Sequence, residues 1–306
     1  MNLDFRVSQL SSGLRNPAWS IAVFAHNEAK GIRMALQSIA ATVGGKEIQV
    51  YVLANGCTDS TAEQVRAGAA LLPNLWLVEI NIADKANAWN LFVHDIFPME
   101  RLKEFETCFF MDGDVTLTPD TLPLLASALD QVPSAEAAGA MPATGRDRDA
   151  WRRRMVENGM LAGNCYALRG SFVKALRERE VRMPVGLIGE DFFVSWLVAS
   201  DLWRGKVPSD EGARCIFHNR AEFSFRSLSP WRPADYRTYL RRKWRYTLRG
   251  IQHQMLLLLL IDQGLGAMPA DVNELYRKAP LPSRLLRNRG DSPLRLIAVQ
   301  WIRSMR

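Results

Sequence analysis

Strand-like and helix-like segments alternate through the first third of the chain, and this alternation limits the folds that it can adopt. Short apolar runs typical of buried strands lie at 20–25, 48–54, 75–82 and 107–111. Segments with helical composition or periodicity fill the intervals, at 29–41, 60–72 and 83–96. Such alternation predicts βαβ units and a mostly parallel sheet flanked by helices. The segments 151–169 and 186–200 are interpreted as mixed helix and loop.

Composition is that of a globular protein with a sizeable core. The chain has 306 residues, of which 48% are hydrophobic and 23% charged, so one large domain or two small ones would fit. The four cysteines form no CxxC pair, which argues against a zinc site or a disulfide framework and for a reducing, cytoplasmic setting. The longest apolar run, 255–261, is too short to span a bilayer.

The net charge of +7 is concentrated in the carboxyl-terminal third. The segments 226–250 and 276–306 each hold eight Lys or Arg and one Asp, so the remainder is negative overall. This asymmetry indicates an anionic partner such as phosphate, nucleic acid or a membrane surface, with a solvated basic face as the alternative. Aromatic residues are interleaved with the arginines, but no nucleic-acid recognition motif accompanies them, and no nucleic acid is expected as a partner.

Two carboxylates end the fourth apolar run, in the stretch FFMDGDVTLTPD. Asp112 and Asp114 would repel each other unless a cation or hydrogen-bond donors lay between them. They also follow a predicted central strand, and ligands bind at the carboxyl edge of open α/β sheets. The alternative is a simple turn, because Asp and Gly are common turn residues.

The turn after the first strand excludes a dinucleotide-binding fold. That fold places a GxGxxG motif at this turn, and the chain reads AHNEAKG there instead.

Six motifs, in order, resemble family 2 of the inverting nucleotide-sugar glycosyltransferases, which have the GT-A fold. They are IAVFAHNEAKG, VYVLANGCTDST, ADKANAWN, FFMDGDV, GEDFFVSWL and RRKWRYTLRG, and they cover roughly residues 20–250. The resemblance implies an α/β GT-A catalytic domain over 1–225, with a nucleotide-sugar half at about 18–118 and an acceptor half at about 119–225. A basic helical region, 226–306, would follow and either pack on this domain or touch membrane.

The resemblance also implies a metal-assisted donor site. Asp112 would lie near the nucleotide ribose and Asp114 would bind Mn²⁺ or Mg²⁺, with Asp112 and His218 as further metal candidates; alternatively, His218 is structural. Mn²⁺ and Mg²⁺ prefer hard oxygen ligands and need few protein carboxylates. The residues that would bind the nucleotide sugar are Ala25, Asn27, Glu28, Asn55, Lys85, Asp112 and Asp114. Asn55 stands where the family commonly has an acid, so the nucleobase stays open.

In the second half, Asp191 is identified with the catalytic base and Glu190 with a residue that orients it or binds the acceptor. Both would equally suit the amino terminus of a helix. Arg169, Trp244 and Arg245 are the candidates for contact with acceptor or diphosphate, and Trp244 is also a candidate core residue.

The implied function is transfer of a sugar from a nucleoside-diphosphate sugar to a carbohydrate or glycolipid hydroxyl, in bacterial polysaccharide, lipopolysaccharide or glycolipid synthesis. A nucleotidyltransferase and a non-catalytic basic binding module are the alternatives. The sequence of residues 293–305 predicts an amphipathic helix. This helix would either pack on the catalytic domain or rest on the anionic inner face of the membrane. Its apolar stripe would comprise Leu294, Ile297, Ala298, Trp301, Ile302 and Met305.

Overall fold

The computed structural model describes residues 5–12, 17–43, 47–96, 105–203, 214–226, 232–281 and 293–305. Its strands are β1 Phe5–Gln9, β2 Trp19–Ala25, β3 Ile48–Asn55, β4 Leu75–Ile80, β5 Thr107–Asp112, β6 Val115–Leu117, β7 Ala137–Pro142, β8 Cys165–Arg169 and β9 Cys215–Phe225. Its α-helices are α1 Ile32–Thr42, α2 Thr61–Ala67, α3 Lys85–Leu91, α4 Thr121–Gln131, α5 Arg148–Asn158, α6 Gly170–Glu178, α7 Glu190–Ala199, α8 Pro233–Gln263, α9 Val272–Lys278 and α10 Pro293–Ser304. A π-helical turn, Phe92–Ile96, continues α3.

All these strands belong to one sheet, in the order β1-β4-β3-β2-β5-β8-β7-β9-β6. The central strands β4, β3, β2 and β5 are parallel, while β8 runs antiparallel between β5 and β7. Every residue of β2 and β3 is buried. Burial on both faces explains why these strands are continuous apolar runs rather than alternating ones.

Helices cover both faces of the sheet and enclose two apolar clusters. Neighbouring residues of β5 point to opposite faces, so Phe109 belongs to one cluster and Phe110 to the other. Phe110 stacks on Tyr166 of β8 with ring centroids 5.0 Å apart, and it also packs against Trp89 of α3. The expected α/β class, a central sheet flanked by helices, is the one observed, but the sheet is mixed, with four parallel and four antiparallel pairings among the described strands.

The predicted elements of the first third agree with the observed ones, and the second half differs. β4 stops at Ile80, two residues before the predicted end, and each of the first three helices is shorter than predicted. The segment interpreted as helix and loop, 151–169, contains the central strand β8. That strand lies against β5 and brings the second half into the same sheet.

The carboxyl-terminal helices pack on the rest of the protein through α8. On α10 the buried residues are Ala298, Val299 and Ile302, and the Trp301 ring lies edge-on to Trp244 of α8 at 6.1 Å. The predicted stripe is therefore displaced, since Val299 is buried whereas Ile297 is exposed. The covered residues are those that face α8 and α9, since the Trp301 ring also lies edge-on to Tyr276 of α9 at 6.0 Å.

The proposed division at residue 226 stays a prediction. One of the two apolar clusters includes residues from both sides of it, such as Phe193 of α7, Leu256 of α8 and Ile302 of α10. Residues 227–231, which join the two parts, lie outside the described ranges. No helix among the described residues is long and apolar enough to cross a membrane.

A close backbone approach at the start of α6 gives a test of this packing. A Cβ on Gly170 would lie 1.8 Å from the carbonyl oxygen of Phe105, so Gly170→Ala forces the two segments apart. We expect urea unfolding to show a loss of roughly 1–3 kcal/mol. Gly250→Ala is the matched control, because a Cβ there meets no atom within 4 Å. In helix α8 it should stabilise by about 0.5–1 kcal/mol. Equal effects of the two substitutions would contradict the close approach.

Candidate active site

Three turns meet at the carboxyl edge of the parallel strands. β2 ends at Ala25, β3 at Asn55 and β5 at Asp112, and the registers pair Ala25 with Ala54 and Phe24 with Asp112. The chain order reverses at β2, whose neighbours are β3 on one side and β5 on the other. Such a switch point opens a crevice that ligands occupy in α/β sheets.

The first two turns are fastened to each other. Asn27 adopts a left-handed backbone conformation with φ 58°, and its Oδ1 accepts a 2.8 Å hydrogen bond from the Thr58 N–H. His26 donates from Nδ1 to the Asn55 carbonyl oxygen, 2.8 Å away. The expected nucleotide contact of Asn27 is thus accompanied by a structural role, because its side chain holds the second turn in place.

A cavity of about 330 Å³ lies beside these turns. Its lining includes His26, Glu28, Asn55, Lys85, Asp112 and Asp114. Burial raises the pKa of Glu28 to about 7, and the carboxylates of Asp114, Asp112 and Asp59 add to the effect. The concentration of acidic groups makes this edge favourable for a cation.

Lys85, the first residue of α3, joins the two halves of the site. Its Nζ donates to Asp112 Oδ1, to Glu190 Oε1 at 2.5 Å and to the Gly163 carbonyl oxygen at 3.2 Å. The residue before it, Asp84, caps α3 by accepting the Asn87 N–H at 2.7 Å. Lys85 therefore ties the turn after β5 to the start of α7.

The buried charges in this cluster shift each other's ionisation. Burial raises the pKa of Asp112 to about 7, although Lys85 opposes the shift. Burial alone would lower the pKa of Lys85, but the carboxylates of Asp112 and Glu190 outweigh it and hold that pKa above its usual value. The ammonium group thus stays charged between its two partners.

Asp191 is held at the first turn of α7 by donors from two other segments. Its Oδ2 accepts the Gly163 N–H at 3.0 Å, and its Oδ1 accepts Nη2 of Arg249 at 3.0 Å. Gly189 precedes this turn with φ 83°, and a Cβ there would lie 2.4 Å from Arg249 Nε. The glycine therefore makes room for the arginine that orients the carboxylate.

One large cavity, of about 1070 Å³, is lined by both groups of acids. Asp112 and Asp114 come from the end of β5 and the turn after it, and Glu190 and Asp191 from the start of α7. A ligand in this cavity can contact the sheet-edge carboxylates and the start of α7 at once.

The side chain of Asp114 is the carboxylate best suited to a divalent cation. It is exposed and makes no ion pair or hydrogen bond with another described residue, whereas Asp112 is engaged by Lys85. Within the described residues there is no cluster of three or more His, Cys, Asp or Glu that would hold a metal by itself. Mg²⁺-like cations bind through one or two carboxylates plus phosphate and water. The donor set fits that arrangement.

A comparison with protein families identifies the family of the chain. Residues 20–183, more than half of the chain, match glycosyl transferase family 2. The chain belongs to this family. The expected enzyme class, a glycosyltransferase, is confirmed, and it is favoured over the nucleotidyltransferase considered from the sequence. A search of curated proteins gave no match.

Solved glycosyltransferases share the fold of this family member. The mannosyltransferase PcManGT from Pyrobaculum calidifontis, in complex with GDP-Man and Mn²⁺, is 19% identical with a TM-score of 0.57, over 96% of this chain and 87% of that one. S. aureus TarS 1-349 in complex with UDP-GlcNAc is 16% identical with a TM-score of 0.51, over 94% and 81%. Glucosyl-3-phosphoglycerate synthase from Mycobacterium tuberculosis is 16% identical with a TM-score of 0.50, over 76% and 80%. The GT-A fold is confirmed.

Three residues of this family member expected at the site lie elsewhere. Arg169 pairs with Thr107 at the far end of β5 from Asp112, and its Nη2 donates to the Leu129 carbonyl oxygen at 2.6 Å. His218 and Trp244 line neither cavity.

Each displacement has a physical reason. Arg169 is the last residue of β8, which runs antiparallel to β5 and so ends at the opposite edge of the sheet. His218 is on β9, which pairs with β7, and its Nδ1 accepts the N–H of Arg220. Trp244 packs against Trp301 of α10. The structure therefore places neither Arg169 nor His218 on the wall of either cavity and packs Trp244 against α10, and the roles expected for them stay predictions.

The structure adds three residues that sequence reasoning missed, and it retains one expected arginine. Arg245 lines both cavities, as its candidate role requires. Arg249 contacts Asp191, Gly163 contacts both Asp191 and Lys85, and His26 lines the smaller cavity. The four-residue spacing between Arg245 and Arg249 was a usable signal, because it puts both on one helix face.

The Lys85 cluster predicts a pH-dependent defect in Lys85→Met. Removing the cation leaves two adjacent carboxylates without compensation, so we expect a loss of roughly 1–3 kcal/mol in unfolding free energy at pH 7.5. Without Lys85 the folded-state pKa of Asp112 rises further above its unfolded value, so folding takes up protons and stability returns as the pH falls. The deficit should therefore shrink at pH 5.5.

Lys174→Met is the matched control for this measurement. Lys174 forms an exposed pair with Glu178 on α6 at 3.5 Å, and such pairs contribute at most about 0.5 kcal/mol at any pH. A Lys85→Met deficit that is the same at both pH values would contradict the electrostatic explanation.

Proposed function

We propose that the protein is a metal-dependent inverting glycosyltransferase, which moves a sugar from a nucleoside-diphosphate sugar to a hydroxyl group of an acceptor. The supporting observation is the large cavity, whose wall carries Asp112 and Asp114 in one place and Asp191 in another. One cavity thus offers a site for the donor's diphosphate and a base for the acceptor. The cytoplasmic setting and the role in bacterial polysaccharide, lipopolysaccharide or glycolipid synthesis, both expected from the sequence, remain part of this proposal.

The donor end of the site fits a nucleotide. Asn55 lines the smaller cavity, and an amide both donates and accepts hydrogen bonds, so it can meet a nucleobase edge. The structural neighbours support the donor class without fixing the base, since one is bound to GDP-Man and another to UDP-GlcNAc. Asp114 would hold Mn²⁺ or Mg²⁺, which supplies charge compensation for the departing diphosphate when bound.

The protein's own residues account for the transfer step. The acceptor oxygen attacks the anomeric carbon as the bond to the diphosphate oxygen breaks, and Asp191 takes the hydroxyl proton. The donors from Gly163 and Arg249 fix the direction in which the Asp191 carboxylate faces. Glu190 is held by Lys85 and positions that segment rather than accepting the proton. A single displacement of this kind inverts the anomeric centre.

Asp114→Ala tests the metal site. We expect calorimetry to show that Mn²⁺-dependent binding of UDP or GDP falls by tenfold or more, since a ligand oxygen and its negative charge are both removed. Asp130→Ala, which changes an exposed acid of α4 remote from both cavities, should bind as the unmodified protein does. Undiminished Mn²⁺-dependent binding by Asp114→Ala would reject the assignment.

Asp191→Asn tests the base. The amide preserves the shape but accepts no proton, so turnover should fall by roughly 10²–10⁴ while nucleotide-sugar affinity stays within a few-fold. Release of nucleoside diphosphate from the donor provides the rate, and calorimetry provides the affinity. Turnover near that of the unmodified enzyme would assign the proton transfer to another group. A basic binding module, the alternative from the sequence, predicts no turnover in either protein.

A further inference from the structure

Arginines from two different parts of the chain line the large cavity. One wall comes from α5 and the turn before it, and the other from α8. The residues are Arg146, Arg148 and Arg154 on the first wall and Arg242, Arg245 and Arg249 on the second.

The cations nearest the acids of the site are already neutralised. Lys85 lies between Asp112 and Glu190, and Arg249 is paired with Asp191. Both cations are therefore already paired with acids of the site.

The other arginines that line the large cavity form no ion pair with the described acids of the site. Within the described part of the chain, Arg146, Arg154, Arg242 and Arg245 form no ion pair, and Arg148 pairs with its neighbour Asp149. A positive field therefore remains along these two walls of the cavity.

The arginines that line the cavity are selected by helix geometry. Arg242, Arg245 and Arg249 recur at intervals of three and four residues, so they share the face of α8 that is turned to the cavity. Their neighbour Arg241, and Arg153 beside Arg154 on α5, do not line it. Each of the two helices thus carries an arginine that lines the cavity next to one that does not, and the latter can serve as a control.

Aromatic surface accompanies the charge. Trp151 on α5 lines the cavity, and its ring is held edge-on by Phe223 and Phe225 at 5.8 Å. Tyr246 lines the cavity on the α8 wall. Flat apolar rings beside guanidinium groups complement a molecule that has both a carbon skeleton and anionic groups.

We propose that the acceptor is anionic, and that its phosphate or carboxylate groups bind Arg146 and Arg154 on one wall and Arg242 on the other. This inference rests on the proposed function and specifies its substrate class. Guanidinium groups bind carboxylate and phosphate through paired hydrogen bonds, and two opposed walls can hold an acceptor while its hydroxyl faces Asp191. A soluble sugar phosphate and a lipid phosphate headgroup present the same chemistry.

The first experiment titrates fructose 1,6-bisphosphate and, separately, fructose into the full-length protein in calorimetry. The bisphosphate should bind and fructose should not. The double variant Arg146→Ala/Arg154→Ala should weaken bisphosphate binding by about tenfold or more, and Arg242→Ala should weaken it as well. The controls Arg153→Ala and Arg241→Ala should leave it unchanged. Equal binding of the two sugars, absent bisphosphate binding, or equal loss in variants and controls would overturn the proposal.

Nucleotide binding in the same proteins separates this inference from the proposed function. Mn²⁺-dependent binding of UDP or GDP should survive in Arg146→Ala/Arg154→Ala, because neither residue lines the smaller cavity, in which Asn55 and Asp114 lie. Absence of nucleotide binding in the unmodified protein would instead contradict the proposed donor site. The bisphosphate result would still hold in that case.

A sedimentation experiment decides the source of the anion. Co-sedimentation with phosphatidylglycerol vesicles, competed by fructose 1,6-bisphosphate and lost in Arg146→Ala/Arg154→Ala, would assign the subsite to a lipid headgroup. Bisphosphate binding without such co-sedimentation, or with co-sedimentation that persists in the double variant, would assign it to a soluble acceptor. Both results support an anionic acceptor.

Discussion

The contact of Lys85 with two carboxylates and a carbonyl oxygen is the interaction on which the site depends. Asp112 follows β5 in the first half of the sheet, whereas Gly163 and Glu190 belong to segments of the second half. One ammonium group thus joins elements that are far apart in the chain. The N–H of Gly163 donates a hydrogen bond to Asp191, so the orientation of the candidate base depends on the same cluster.

Both acidic and basic side chains line the large cavity. Acids concentrate at the sheet edge, where burial and mutual repulsion raise the pKa of Glu28 and of Asp112 to about 7. Arginines of α8, and of α5 with the turn before it, line the same large cavity. The carboxylates at the sheet edge favour a cation that accompanies a diphosphate, whereas arginines without acidic partners favour an anionic group. The acids and the arginines therefore suit different groups of a bound ligand.

The first half of the fold was predictable because its strands are buried on both faces. β2, β3 and β5 are continuous apolar runs, and the carboxyl edge of their sheet carries Asn55 and Asp112 as expected. In the second half β7, with the sequence AAGAMP, consists of small residues with no strong strand preference. The position of Arg169 depends on the direction of β8, which no local sequence pattern predicts.

The sequence by itself determined the family, the α/β class and the residue types at the candidate site. Those properties are local, because an apolar run, a turn or a pair of acids is specified by neighbouring residues. Tertiary structure decided which of these residues meet. Arg249 reaches Asp191 from 58 positions away, while Arg169 and His218 are carried elsewhere by the strands that hold them. Contacts of such separation depend on strand order and helix docking, and these follow from how the whole core packs rather than from any one segment.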